Sequence, residues 1–198
     1  MKKEYLGKRK KAGLLLASMT LLVLTFTGCQ AEEAEELPIT GNAVVVTQEG
    51  KLISYLVDSF DKDYYDAQEL AAMAMTEAEK FSEEMNFSTE PELVISGAEV
   101  WPDSKQVALI MEFANAKSYA AYYNVDAFYG TVAEAMGAGW ALSGRLTDTK
   151  KEVVLSDEKL MDYGEKMIFI CSHEVDIRVP GKILAEGEYT GLKYIMMK

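Results

Sequence analysis

Cys171 and His173 stand two residues apart in a stretch that alternates apolar and polar side chains, so on a strand both would project from one face. A thiolate beside an imidazole is the beginning of a nucleophilic site or a zinc site. Zinc would want further Cys or His ligands, and His173 is the only histidine in the chain. A cysteine hydrolase needs a base oriented across the site, not a near neighbour on the same strand. Core packing beside Phe169 and Val175 is therefore the expectation for this pair. Asp61, Asp63 and Asp66 invite a calcium reading, but an EF-hand loop begun at Asp61 would place Tyr65, Asp66 and Ala72 where Asp or Asn, Gly and Glu are needed. Helix capping and solvated charge explain those aspartates, with a looser oxygen site as the alternative. No Gly-x-Ser-x-Gly is present, and Gly137-Ala138-Gly139 lacks the third glycine of a dinucleotide loop and follows a helical stretch. Nothing singles out a carboxylate pair for glycoside cleavage. The sequence thus nominates no catalytic, cofactor-binding or metal-ligating residue.

Aromatic residues are a different matter. Tyr119, Tyr122, Tyr123, Phe128, Tyr129 and Trp140 fall within 22 residues, interleaved with Ala and Gly that allow close approach. Exposed, such rings would offer flat faces to a sugar or peptide; buried, they would fill a core. Both readings stay open, and Tyr119, Tyr122, Tyr123, Tyr129 and Trp140 form the candidate binding surface.

Cys29 carries the clearest chemical signal. A basic start (Lys2, Lys3, Lys8, Arg9, Lys10, Lys11) precedes the apolar run Ala12 to Phe26, which is the n-region and h-region order of a secretory signal. The run is shorter than the ~20 apolar residues a spanning helix needs. Thr27-Gly28-Cys29 then resembles the lipobox of bacterial lipoproteins, with Phe26 where leucine is commoner. That resemblance implies a diacylglycerol on Cys29, which becomes the first residue of the mature chain. Two or more acyl chains, at ~0.8 kcal/mol per buried methylene, hold a protein stably on a bilayer where one is marginal.

Cleavage there changes the charge. The chain of 198 residues has 20 Lys and Arg against 32 Asp and Glu; residues 1–28 hold six of the former and one of the latter, which leaves 14 against 31, a net of −17, on a mature chain of 170 residues. Such a field repels nucleic acid and anionic lipid headgroups and keeps the domain soluble beside its membrane. Nucleic-acid binding is accordingly not expected. With Cys29 lipidated, Cys171 is alone and no intramolecular disulfide can form, which a secreted domain of this size does not need.

The elements that must position these groups read as α+β. Residues 30–42 are an acidic tether of thirteen residues, reaching at most ~45 Å when extended. Within it Leu37-Pro38-Ile39-Thr40-Gly41 matches the sortase pentapeptide, but sorting requires that motif near a C-terminus, so it reads as linker. A single domain is expected over 43–198. Ala43 to Val46 and Leu52 to Val57 form a hairpin around Gly50. Asp66 and Glu69 stand at N-cap and N3 spacing before an amphipathic helix defined by Leu70, Ala74, Ala78, Phe81 and Met85. Leu93 to Val100 and Lys105 to Phe113 form a second hairpin. Short helices follow at Ala116 to Tyr123, capped by Asn115, and from the capping box Thr131–Glu134 to near Gly137 and Gly139. Val153 to Leu155 reads as a strand and Ser156 to Met161 as a helical turn. Met167 to Val179 alternates throughout, as one long strand or a strand bent near Ser172, and a last strand runs from Lys193 to Met197. The sum is an antiparallel or mixed sheet built from hairpins, packed by one long and two or three short helices. The hairpin–helix succession occurs twice (43–85 and 93–123), which a duplicated unit would explain.

Asp58-Ser59-Phe60-Asp61-Lys62-Asp63-Tyr64-Tyr65, Tyr129-Gly130-Thr131-Val132-Ala133-Glu134-Ala135 and Val179-Pro180-Gly181-Lys182-Ile183 together resemble blocks of uncharacterised small lipoproteins of anaerobic Firmicutes, in which they follow a lipobox. The resemblance implies a Gram-positive envelope and a chain anchored to the outer face of the cytoplasmic membrane; it carries over no activity or cofactor. The expected function is a monomeric, non-catalytic binding or envelope-accessory domain, with an envelope protein, wall polymer or small ligand as partner. The alternative is a membrane-tethered hydrolase using a carboxylate or Cys171.

Overall fold

Two β-rich runs joined by a five-residue connection fold back on one another where the chain first becomes regular. β1 (Ala43–Val46) pairs antiparallel with β2 (Leu52–Ser59), from Val46 opposite Leu52 to Ala43 opposite Tyr55. The connection closes through Thr47 and Lys51, and Gly50 takes φ +84°, with the Tyr129 ring packed where a side chain would project. The computed structural model describes residues 38–85 and 91–198; the leader, Cys29 and the tether as far as Leu37 lie outside the described residues.

The long helix α1 (Ala67–Met85) begins at Asp66, whose Oδ1 accepts from the backbone N–H groups of Gln68 and Glu69. Ala74, Ala78 and Phe81 turn inward at helical spacing. β3 (Leu93–Trp101) and β4 (Gln106–Phe113) form the second hairpin, with a bulge between Ile95 and Gly97. β2 pairs with β4, so both hairpins lie in one sheet of order β3-β4-β2-β1, completed by β8 (Asp176–Arg178) parallel to β1.

A second, fully antiparallel sheet has the order β5-β7-β10-β9-β6. Its members are β5 (Ala127–Thr131), β6 (Thr147–Asp148), β7 (Met167–Cys171), β9 (Ile183–Tyr189) and β10 (Leu192–Met197). Around it lie α2 (Ala116–Tyr123, capped by Asn115), α3 (Val132–Gly137, with the Thr131–Glu134 capping box) and α4 (Asp157–Met161). The α+β expectation is borne out, with the strands divided between a mixed sheet and an antiparallel one.

Strand pleating decides where the cores fall. Phe169 and Cys171 face one way and join Val44, Leu52, Met111 and Phe113 of the first sheet in one cluster. Ile168 and Ile170 face the other way and meet Val132, Ala135, Leu146 and Leu160 in a second. β7 is thus buried on both faces.

The alternating stretch Met167 to Val179 is two strands. β7 ends at Cys171, the chain bends over 172–175, and β8 enters the other sheet. The odd-numbered apolar residues Met167, Phe169, Cys171, Val175, Ile177 and Val179 nevertheless all reach the same core cluster, which explains why the alternation is unbroken. Val154 makes only an isolated bridge to Thr147, so Val153 to Leu155 is not a full strand.

Gly187 in β9 lies directly against the backbone carbonyl of Arg145, well inside the space a Cβ would occupy. Neither atom sits on a flexible side chain, so relief requires moving a strand. Gly187→Ala should therefore lower stability by about 3 kcal/mol or more, the upper end for overpacking. Gly41→Ala, where nothing stands within 4 Å of the added carbon, should change it little. Paired urea unfolding curves test this, and equal midpoints for the two variants would contradict it.

Candidate functional site

The chemistry-bearing residues gather where the chain passes from one sheet to the other. Tyr119, one turn into α2, points its hydroxyl at His173, with 2.6 Å between Oη and Nδ1. A neutral imidazole protonated at Nε2 accepts the tyrosine proton there. The His173 ring also lies over Tyr123, centroid to centroid 4.7 Å, while the Tyr123 hydroxyl is 2.8 Å from Ser54 Oγ on β2. Cys171 is fully buried, and its Sγ accepts from the backbone N–H of His173, not from the imidazole. The two residues are neighbours, then, but no hydrogen bond joins thiol to imidazole.

Burial governs the ionisation of this group. It pushes the Tyr119 hydroxyl far above its usual value, with the Cys171 thiol adding to the effect, and moves Tyr123 up to about 12. It raises the Cys171 thiol and lowers His173 below 6.5. Every shift favours the neutral form. Such a set stabilises a polar seam inside a core and disfavours the thiolate and imidazolium that nucleophilic chemistry would use.

The five aromatic residues of the candidate surface do not share one. Tyr119 is fully buried; Tyr122, Tyr123 and Tyr129 are half-buried against the inter-sheet core. Tyr119 and Tyr123 meet at 4.8 Å, and both contact Phe113. Trp140 packs instead against Phe128 and the second cluster, on the opposite face of the second sheet. β5 causes the split, because Phe128 and Tyr129 are consecutive on a strand and must diverge.

Two more exposed rings, Tyr64 and Tyr65, lie elsewhere. Between β2 and α1 the loop carries Phe60, Tyr64 and Tyr65 beside the N-terminal half of the helix. Phe60 is fixed by its N–H to the Lys105 carbonyl at 2.7 Å, and Tyr65 by its N–H to the Lys62 carbonyl at 3.1 Å. Tyr65 sits 5.3 Å from the Phe60 ring and 5.0 Å from Tyr64, the latter at 76°. With Leu70, Met73 and Val107 they line an open groove of about 310 Å3. Tyr64 is 77% exposed, Tyr65 41% and Met73 62%. Asp58, Asp66 and Glu69 also line the groove, and among the described residues no Lys or Arg does. Among the described residues no three His, Cys, Asp or Glu side chains come together to hold a metal ion.

In the sequence the aspartates of this segment stand out more than its rings do. The available signal was Phe60, Tyr64 and Tyr65 placed just before a helix cap, where no strand or helix periodicity assigns them to a core.

The half-buried histidine, held toward its neutral form, fixes the sign of a pH effect. As pH falls, the unfolded chain takes up the His173 proton near 6.5, before the native chain does. The stability His173 contributes is present above 6.5 and is lost as pH falls from there through its native value. Denaturation midpoints should fall between pH 7 and pH 5.5 in the native chain and less so in His173→Asn. The single histidine ring signal, followed by NMR, should titrate below 6.5; a midpoint at or above that value would overturn the assignment. Cys171 should resist a water-soluble thiol reagent until denaturant is added. No protein-family model matches the chain, and neither a curated protein nor a solved structure does, so the site rests on its own geometry.

Proposed function

We propose that this chain is an extracytoplasmic lipoprotein, anchored to the outer face of the cytoplasmic membrane through Cys29, whose globular part is a monomeric, non-catalytic binding domain. The observation that carries the reading is the order of basic segment, short apolar run and Thr27-Gly28-Cys29. Support for the binding half comes from how the reactive side chains are used. Cys171 and Tyr119 are buried and bonded to the half-buried His173 at the core edge, whereas Phe60, Tyr64 and Tyr65 line an open groove. The net charge of −17 on residues 29–198 favours partners other than nucleic acid. Envelope proteins, wall polymers and small ligands are the partner classes that match the proposed location.

Processing at Cys29 is directly measurable. Intact-mass analysis of a membrane fraction should find a mature chain beginning at Cys29 and carrying diacylglycerol. Cys29→Ala should lose that adduct and move most of the protein out of the membrane fraction. A native mature chain without lipid at Cys29, or a variant that remains fully membrane-bound, would sink the anchor.

A further inference from the structure

We propose that the groove between α1 and the ends of β2 and β4 binds an organic cation, an ammonium or guanidinium group carried on an apolar body. This deepens the binding-domain reading above and rests on it. Three observations converge on the ligand class. Tyr64 and Tyr65 meet at 76° and form a corner of aromatic walls, with the Phe60 ring 5.3 Å from Tyr65. Aromatic faces carry negative charge density and attract a cation placed over them, the more so for weakly hydrated alkylammonium groups. Leu70, Met73 and Val107 supply an apolar floor for the rest of the ligand, and the unbranched Met73 adapts to its shape.

Charge then separates cations from other flat or apolar molecules. Asp58, Asp66 and Glu69 line the groove, and Asp63 sits in the loop that carries Tyr64. Lys62, the nearest base in sequence, is already paired with Asp61 at 3.1 Å. Asp66 is spent as the helix cap, but Glu69 makes no ion pair with a described residue and stands one helical turn from Met73. A field of one sign around a low-dielectric cleft concentrates counter-ions in it. An anion would meet carboxylates and ring faces together, both repulsive. The volume of about 310 Å3 suits a single small ligand.

The test uses the full chain in a non-ionic maltoside micelle, with benzyltrimethylammonium as probe and benzyl alcohol and benzenesulfonate as neutral and anionic counterparts of similar size. Ligand-observed saturation-transfer NMR and calorimetry should show the cation binding in the millimolar range or tighter, with the other two at least about fivefold weaker. Tyr64→Ala should weaken the cation about fivefold and Glu69→Gln about twofold, and added salt should weaken it as well. Both side chains are exposed, so unchanged urea midpoints will show that the fold is intact. Benzyl alcohol or benzenesulfonate binding as tightly as the cation, with Tyr64→Ala reducing it, would overturn the cation class while leaving a binding groove in place. No Tyr64-sensitive binding of any probe would overturn the groove as well as its ligand.

Discussion

Burial of β7 on both faces is the constraint around which the molecule is arranged. A five-residue strand with Ile168, Phe169, Ile170 and Cys171 all withdrawn from water needs a cover on each side and a hydrogen-bonded neighbour at each edge. The edges are met by β5 and β10. One face is closed by the first sheet with α2, the other by α3, α4 and the 142–155 connection. Removing a residue such as Phe169 would cost about 3–5 kcal/mol, a large share of the stability of a domain this size. Both clusters would feel it, because they share this strand as a wall.

The exit from β7 is the second constraint, and it accounts for the polar residues in the interior. A chain leaving one sheet for another must break its ladder, which frees backbone groups that burial will not tolerate. Here the break is bridged. Ser172 exchanges hydrogen bonds with Asp126, Val175 N–H reaches the His173 carbonyl, and Asp176 N–H picks up the pairing again at Asn42. His173 falls inside this bend, so its ring is turned into the core edge, where Tyr119 and Tyr123 receive it. Among the described residues no buried side-chain polar atom is left without a partner. The residues most suggestive of catalysis in sequence are therefore accounted for by the need to satisfy a sheet-to-sheet crossing.

Much of this was legible in sequence where local rules act alone. Asp66, Asn115 and the Thr131–Glu134 pair cap helices as their spacing implies, and Gly50 takes the positive φ its turn needs. The hairpins follow from period-two runs. What was hidden depends on long-range partners. β5 is an aromatic stretch between two helices, and only pairing with β7 makes Phe128 and Tyr129 diverge. β9 carries no strand signal in the sequence, because Gly187, required by the approach of Arg145, interrupts its pattern. The bend at 172–175 matches the second of the two expectations, a strand bent near Ser172, and alternation alone could not choose between them, since both halves of the segment feed one shared core. For the candidate surface, burial was the undecidable quantity: helical spacing places Tyr119 and Tyr123 together without saying on which side of them the sheet lies.

The same logic separates the two aromatic groups of the molecule. Tyr119, Tyr122 and Tyr123 lie on a helix held by Phe113 and the inter-sheet core, so their rings serve stability first. Phe60, Tyr64 and Tyr65 belong to a loop held by two backbone hydrogen bonds and by one another. α1, beside them, touches the core mainly through Ala74, Ala78 and Phe81, two of which bury very little area. Apolar area sets how firmly an element is held, at about 25 cal/mol per Å2. α1 therefore gains little buried area from each of its small inward residues, and Phe81 is its one large apolar anchor in that cluster. Tyr64 and Tyr65, on the loop before α1, thus keep their faces partly in solvent, whereas the rings packed around β7 have given theirs up to the fold.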